Sequence, residues 1–535
     1  MLKKEIMLIL KNISYTHSNR ELLFSNISLT VNNNTKIALV GNNGSGKSTL
    51  LKIIAKKLFP SGGIVETDAE PYYIPQIFGQ YNHLTIAEAL QIDQKINALQ
   101  EILEGNVTEK NLNLLNDDWT LEERCAEALK YWQLNKFELN QKLESLSGGE
   151  KTKVFLAGIM IHQPKLILLD EPSNHLDIQG RELLYQFIKT TVNTMLIVSH
   201  DRALLNLLDA TCELKSNGIK SYGGNYDFYV EQKTIEKNAL VQDIRSKEKA
   251  LQKAKEKQRE TLERQQKSDA KGKKKQEKAG VARIMMNTLR NNAENSTSKA
   301  KSAHAEKTNG ISQELRELRD GIPSVDKMKF GLDHSTLHKG KIIVTAEYLN
   351  YSYNEESIWK NNLNFQILSG QRIAVKGNNG SGKTTLIKLI LKEIKPESGT
   401  LKITDCNSVY IDQDYSLINN NLTVYEQAQR NNSAGLEEHD IKMRLNRFLF
   451  TKSDWDKPCQ YLSGGERMRL MLCGLTIANE APDFIILDEP TNNLDIQNIE
   501  ILTAAVNEYQ GTLIVISHDE FFLKQININS TISLS

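Results

Sequence analysis

The chain has 535 residues, more than one hydrophobic core can hold, and its length predicts three or four units. Apolar content of 39% and charged content of 25% are those of an ordinary soluble globular protein, and no apolar run approaches the ~18 residues needed to span a bilayer. A net charge of +1 excludes a global attraction to nucleic acid, but an average can hide a local patch.

Met1 to Lys4 followed by Ile6-Met-Leu-Ile-Leu10 has the outline of a signal peptide. The apolar run is too short, and Lys11-Asn12 ends it without a small-residue cleavage site, so a first edge strand is expected instead. The five cysteines, Cys125, Cys212, Cys406, Cys459 and Cys473, are scattered without metal-ligand spacing. They read as buried or free thiols in a reducing, cytoplasmic compartment.

Apolar Ile37–Val40 leads into Gly41, Asn42, Asn43, Gly44, Ser45, Gly46, Lys47, Ser48 and Thr49, and Leu50, Leu51, Ile53 and Ile54 follow. This is G-x-x-x-x-G-K-[ST] between a strand and a helix. Such a loop turns successive backbone N–H groups onto phosphates at a helix N-terminus whose dipole favours negative charge. The stretch occurs again as Gly377, Asn378, Asn379, Gly380, Ser381, Gly382, Lys383, Thr384 and Thr385, in the same context. Lys47 and Lys383 are expected to reach the β- and γ-phosphates, and Ser48 and Thr384 to hold Mg²⁺.

The rest of the chain repeats with it. Tyr72-Tyr-Ile-Pro-Gln76, Leu146-Ser147-Gly148-Gly149-Glu150, Leu166-Ile-Leu-Leu-Asp170-Glu171 and Leu196-Ile-Val-Ser-His200-Asp201 recur in order. Their counterparts are Val409-Tyr-Ile-Asp-Gln413, Leu462-Ser463-Gly464-Gly465-Glu466, Phe484-Ile-Ile-Leu-Asp488-Glu489 and Leu513-Ile-Val-Ile-Ser-His518-Asp519. The loops lie 336 residues apart (377 − 41), and glutamine to signature serine is 71 residues in the first copy (147 − 76) and 50 in the second (463 − 413). The first copy therefore holds an insertion of about 21 residues, an arm falling within about residues 87–130.

This set resembles the ATP-binding cassette ATPases over both halves. The resemblance implies an α/β fold with two tandem ATP-binding-cassette (P-loop NTPase) domains, residues 7–222 and 342–535. It further implies ATP hydrolysis with Mg²⁺, held by Asp170 and Asp488 together with Ser48 and Thr384. Glu171 and Glu489 are expected to orient or deprotonate the attacking water, and His200 and His518 to sense the γ-phosphate. Gln76 and Gln413 are expected near metal and water. In this superfamily one cassette's signature closes on the other's nucleotide, so Ser147, Gly148 and Gly149 are expected over the ATP of Lys383. Ser463, Gly464 and Gly465 are expected over that of Lys47. Adenine stacking falls to Tyr15 or His17 in the first copy and to Tyr351 or Tyr353 in the second.

Residues 223–341 have another composition. Arg245–Arg283 holds fifteen Lys/Arg against six Asp/Glu, a net of 15 − 6 = +9. From Asp227 to about Lys267 neither Gly nor Pro occurs and apolar positions are sparse, which predicts a long solvated helix. Gly272 and Gly280 amid lysines predict a break, with a basic tip at about 268–285 and a returning helix: a helical hairpin linker. Concentrated charge of one sign calls for a polyanion, and the scarcity of stacking aromatics favours the backbone of folded RNA over a single strand.

Two cassettes, an arm, and a charged helical linker without a membrane domain resemble the ABC-F family, ribosome-associated ATPases that enter the tRNA exit site. That resemblance implies the ribosome (rRNA and peptidyl-tRNA) as partner through linker and arm, no membrane, and a monomer with an intramolecular cassette pair. It implies ribosomal protection conferring antibiotic resistance ahead of a housekeeping translation role, the lean resting on arm, linker and the end at Ser535. An exporter's ATPase subunit or a DNA-repair ATPase are the competing expectations.

Overall fold

A computed structural model describes residues 5–17, 20–278, 298, 302, 305–319, 338, 340–353, 356–378, 380–478, 480–492 and 494–534. The chain divides into one unit formed by Met1–Asp227 with Lys327–Ser535 and a second formed by Phe228–Asp326.

In the first unit each repeat builds a parallel sheet from its most apolar segments. The order in the first repeat is Pro71–Ile74, Leu166–Asp170, Thr194–Val198, Lys36–Val40, Ala210–Lys215, Gly218–Tyr222, parallel except for the last pair. The second repeat orders Ser408–Ile411, Phe484–Asp488, Thr512–Ile516, Arg372–Lys376 and Ser530–Ser533, all parallel. Leu166–Asp170 and Thr194–Val198 are buried throughout, which is why they read as unbroken apolar runs rather than alternating ones. Both phosphate loops and both carboxylate pairs consequently emerge at the C-terminal ends of strands on either side of the one that leads to His200 or His518.

A three-stranded antiparallel sheet covers each core: Leu22–Asn32, Ile6–Thr16, Gly62–Thr67, and likewise Leu363–Leu368, Ile342–Asn350, Ser398–Ile403. Ile6–Thr16 is the middle strand of its sheet, not the edge strand that its position in the chain suggests. Met7, Leu8 and Leu10 are all buried, and a strand with so much apolar surface gains most when paired on both sides. Between the sheets lies the helix Lys47–Ile54, whose Leu50, Leu51, Ile53 and Ile54 join one core with Ile13, Phe24, Leu168 and Leu196. At about 1.5–3 kcal/mol for each buried aliphatic side chain, this packing anchors the phosphate loop that precedes the helix.

The helical subdomains begin alike. Thr85 and Thr423 each form a capping box, with Glu88 and Glu426 respectively. The first repeat then adds the helices Asp93–Leu103 and Glu109–Leu115, for which the second shows no counterpart among the described residues. These two fall in the stretch where the repeat loses register.

In the second unit one helix, Tyr226–Lys278, runs 53 residues. It passes through Gly272, where a break was expected. A single glycine costs about 1 kcal/mol in a helix, too little to end one whose sequence has straight-chain lysines and glutamates on either side. The part of the expected tip at 279–285 lies outside the described residues. Residues 305–319 are also helical and return along it: Arg319 Nη2 donates to Glu248 Oε1 at 2.6 Å, Lys247 pairs with Glu314, and Ile244 and Leu315 are buried.

Candidate ATP sites

Gly46 and Gly382 cap the helices that follow the loops, with φ of +94° and +84°, a left-handed conformation that glycine adopts without steric cost. Lys47 folds back over its own loop, Nζ donating to Gly41 O at 2.7 Å and Asn42 O at 3.2 Å. Lys383 does the same with Gly377 O at 2.6 Å and Asn378 O at 3.2 Å, and lies 3.4 Å from His518 Nε2. Burial lowers the pKa of both lysines, against the opposing pull of nearby carboxylates. Asn379 lies outside the described residues.

Asp170 closes its strand with both oxygens engaged, Ser48 Oγ donating to Oδ1 at 3.0 Å and Tyr73 Oη to Oδ2 at 3.2 Å. In the second copy Tyr410 Oη donates to Asp488 Oδ2 at 3.0 Å. Sequence reasoning missed these tyrosines. The signal was there, since each stands three positions before its glutamine, Gln76 or Gln413, in both copies. Burial raises both aspartates. A buried carboxylate beside a hydroxyl is the oxygen donor set a hard cation accepts, completed by phosphates and water. Ser48 and Asp170 therefore fit Mg²⁺.

Glu171 and Glu489 leave the strand in the left-handed region, φ +52° and +46°, each N–H donating across to Val198 O or Ile516 O at 2.8 Å. A non-glycine residue pays for that conformation, and such strain collects at functional sites. Each carboxylate accepts from the backbone N–H of its histidine at 3.3 Å, and His200 Nε2 and His518 Nε2 lie 3.3 Å from Glu171 Oε1 and Glu489 Oε1. Burial pushes Glu171 up to about 8 and Glu489 up to about 7. Burial, then Lys383 and Arg181, bring His518 down to about 4, and burial with Lys47 holds His200 well below its ordinary value. The imidazoles are therefore neutral at pH 7, and their contact with glutamate is not an ion pair. Glu171 Oε1, Glu489 Oε1, His200 Nδ1 and His518 Nδ1 are buried without a hydrogen-bond partner. Four orphaned polar atoms beside two phosphate loops are positioned to take a proton from, or hold, a water.

A cavity of about 340 Å³ opens above the first loop, and Gln76, Asp170, Glu171, His200 and His17 line it. Of the first aromatic pair, His17 faces this cavity while Tyr15 packs with Phe24 against the core. In the second pair Tyr351 joins the core cluster, and exposed Tyr353 lies 336 residues beyond His17 (353 − 17). Gln413, unlike Gln76, is exposed.

Ser147 and Ser463 cap their own helices, each forming a capping box with Glu150 or Glu466. Ser463, Gly464 and Gly465 do not line the cavity of Lys47, and Gly148 lies against its own cassette's His175. What the second cassette brings to the first loop is Asp495, whose Oδ2 accepts from Asn43 N at 2.7 Å while Oδ1 caps the helix Ile496–Glu508. The two repeats thus meet head to tail.

The family model described as ABC transporter matches residues 24–174 and 360–492. The putative ATP-binding protein YdiF of Bacillus subtilis is 31% identical over 530 residues, 95% of this chain and 77% of that protein. ATP-binding protein Uup of Escherichia coli is 31% identical over 530 residues, covering 94% and 76%. ABC transporter F family member 5 of Arabidopsis thaliana is 30% identical over 547 residues, 97% of this chain and 73% of that protein. Among solved structures, an archaeal ribosome recycling factor in complex with a ribosomal stalk protein shares the fold. Its TM-score is 0.59 at 19% identity, over 96% of this chain and 86% of that one. No helix among the described residues is long and apolar enough to cross a membrane. Two cassettes in one chain, both matched by the family model and covered together by such relatives over nearly all of this chain, make this protein an ATPase of the ABC transporter family, in its F family.

Proposed function

We propose that this ATPase works on the ribosome, in the cytoplasm and as a monomer, acting from the tRNA exit site with ATP hydrolysis timing its release. The observation that carries this reading is the helix Tyr226–Lys278, which follows the first cassette in the chain with mostly exposed side chains among the described ones and an excess of lysine and arginine. A polyanion that displaces counterions from those side chains is its natural partner, and folded rRNA and peptidyl-tRNA offer it together with the arm.

At each site ATP takes the loop, its Mg²⁺ is held by Ser48 and Asp170 or by Thr384 and Asp488, and Glu171 or Glu489 aligns the water. Gln76 and Gln413 stand near metal and water, and His200 and His518 near the γ-phosphate. The signature serines and glycines complete the opposite site on closure, Ser463 to Gly465 over Lys47 and Ser147 to Gly149 over Lys383. His17 and Tyr353 stack on adenine. Replacing His17 or Tyr353 with Ala is expected to raise the KM for ATP about tenfold with little change in kcat, the effect of losing about 1–3 kcal/mol of stacking. Steady-state kinetics in the wild-type and variant chains measure it.

Replacing Lys271, Lys273, Lys274 and Lys275 with Ala is expected to weaken ribosome binding and to reduce its slope against log salt by about 3. Co-sedimentation across a salt series tests the ribosome reading, while ATP turnover without ribosomes should persist. Failure to bind ribosomes in ATP at any salt sinks the reading.

Protection of the ribosome from antibiotics is the finer proposal. A housekeeping translation role is the second reading, and relatives named Uup and YbiT agree with it equally well. Expression in a susceptible host, followed by inhibition measurements over a panel of ribosome-targeting drugs, separates the two. Unchanged sensitivity throughout selects the housekeeping role.

A further inference from the structure

The second cassette brings Asp495 across the seam to the first ATP site, where its Oδ2 takes the N–H of Asn43 at 2.7 Å in the phosphate loop of Lys47. The helix that Asp495 caps, Ile496–Glu508, follows the same seam. Ile499 shares a small cavity with Glu171 and His200, and Glu500 Oε1 lies 3.9 Å from Arg202 Nη2. A second piece of that cassette, the signature Ser463 to Gly465, is read as closing over the same nucleotide.

One side chain touches both pieces. Asn498 is only 6% exposed, and its backbone N and its Nδ2 each donate to Asp495 Oδ1 at 2.8 Å. Oδ2 is thereby left facing Asn43. The carboxamide of Asn498 also lies against the signature, so closely that a Cβ on Gly465 would stand 2.7 Å from Asn498 Cγ.

Charge fixes the orientation of this amide. Turned over, it would set its oxygen against a carboxylate oxygen in a dry place, so the nitrogen must face Asp495. Asn498 Oδ1 is then buried without a hydrogen-bond partner. An unpaired buried acceptor costs stability, and a leucine of similar shape would avoid that cost. An amide kept there in spite of it serves the residue it holds rather than the core around it.

The repeat withholds this side chain from the first cassette. Gly180 stands 318 residues before Asn498 (498 − 180) and gives Asp177 one bond, its own N–H to Oδ1 at 2.9 Å. The flexible end of Lys153 takes the space instead, 3.1 Å from where a Cβ on Gly180 would be.

We propose that Asn498 is a positioning residue of the first ATP site, acting across the seam through Asp495. It holds Asp495 on the loop of Lys47 in register with the signature of its own cassette, while the site of Lys383 faces a cassette with glycine in that place. This role rests on the reading that the loop of Lys47 holds ATP and that Ser463 to Gly465 close over it.

The test uses the full chain and a fluorescent ATP analogue that is not hydrolysed. Lys383→Ala leaves the first site to be titrated, and Lys47→Ala leaves the second. Asn498→Leu keeps the shape and removes the donor. It is expected to raise Kd about tenfold in the Lys383→Ala chain and less than about twofold in the Lys47→Ala chain. Asn498→Gly, the residue of the other repeat, should do the same. Asp495→Ala should match the loss at the first site, and Asn498→Leu should add nothing to it, since both act through one contact. A merely structural role would harm the site of Lys383, which lies in Asn498's own cassette. Equal losses at the two sites, no loss at the first, or losses from Asp495→Ala and Asn498→Leu that add together overturn the proposal. Ser463→Arg obstructs the signature and tests the other reading. If it weakens the site of Lys383 alone, the assignment of that signature to the opposite site fails, whatever Asn498→Leu does.

Discussion

Replacing both Glu171 and Glu489 with Gln is expected to lower ATP turnover about 10³-fold while leaving nucleotide bound, and to trap the protein on ribosomes. Each side chain sits at the end of a buried strand in a left-handed conformation, with one oxygen orphaned beside the phosphate loop. An amide of the same shape keeps the fold but cannot accept the water's proton, and loss of a general base costs about 10²–10⁴-fold. Phosphate release and co-sedimentation in ATP are the measurements; a double variant that turns over ATP normally sinks the assignment. The pH dependence follows from the same burial. With pKa values raised to about 8 and about 7, the carboxylates ionise only as pH rises through that range, so wild-type turnover should climb across it. For stability the sign is opposite. A carboxyl whose folded pKa is raised binds its proton more tightly in the folded chain, so its contribution is full at low pH. That contribution falls as pH rises from the ordinary carboxylate value to the folded one. The double Gln variant should therefore lose less Tm than wild type between pH 5 and pH 8.

Gly46→Ala is expected to weaken ATP binding at the first site by at least about 10²-fold, with Gly382→Ala doing the same at the second. An alanine at φ +94° pays about 1–2 kcal/mol for its left-handed backbone. Its Cβ would lie 2.6 Å from the Phe24 ring and 2.9 Å from Leu23, so the loop must lift or the core must shift. Overpacking of that kind costs about 1–3 kcal/mol more. At Gly382 the obstruction is Ile358 at 2.6 Å and Trp359 Nε1 at 2.9 Å, and that indole N–H already donates to Ser381 O. Titration with a fluorescent ATP analogue measures the loss. Gly44→Ala is the control, since it has φ +81° but open space around it, and it should cost several-fold less. Equal losses at Gly44 and Gly46 would mean that backbone strain alone, and not the contact with the core, governs the loop.

Much of this protein is legible in one dimension because its chemistry is carried by short contiguous runs written twice. The strand-loop-helix around Lys47, the strand ending in Asp170-Glu171 and the strand ending in His200 each announce their structure by local pattern, and the repeat supplies the check. The long linker helix is legible for the same reason, although Gly272 misleads: a helix tolerates an isolated glycine that a reading by punctuation takes for an end. Strand pairing is less so. Ile6–Thr16 became a central strand because Gly62–Thr67, far along the chain, covers the edge that the next strand, Leu22–Asn32, leaves open, and no local signal carries that.

The family and the two phosphate loops with their following carboxylates and histidines can be read from the residues alone, since each lies in or beside a recognisable motif. What crosses between motifs needed the fold. Tyr73 reaches Asp170 from a neighbouring strand, His17 rather than Tyr15 faces the cavity, and Asp495 meets the loop of the opposite cassette. Arg181 stands in the seam where the second copy has Ile499. These contacts depend on through-space distances and on how much water the fold removes around each charge, and neither quantity is a property of neighbouring letters.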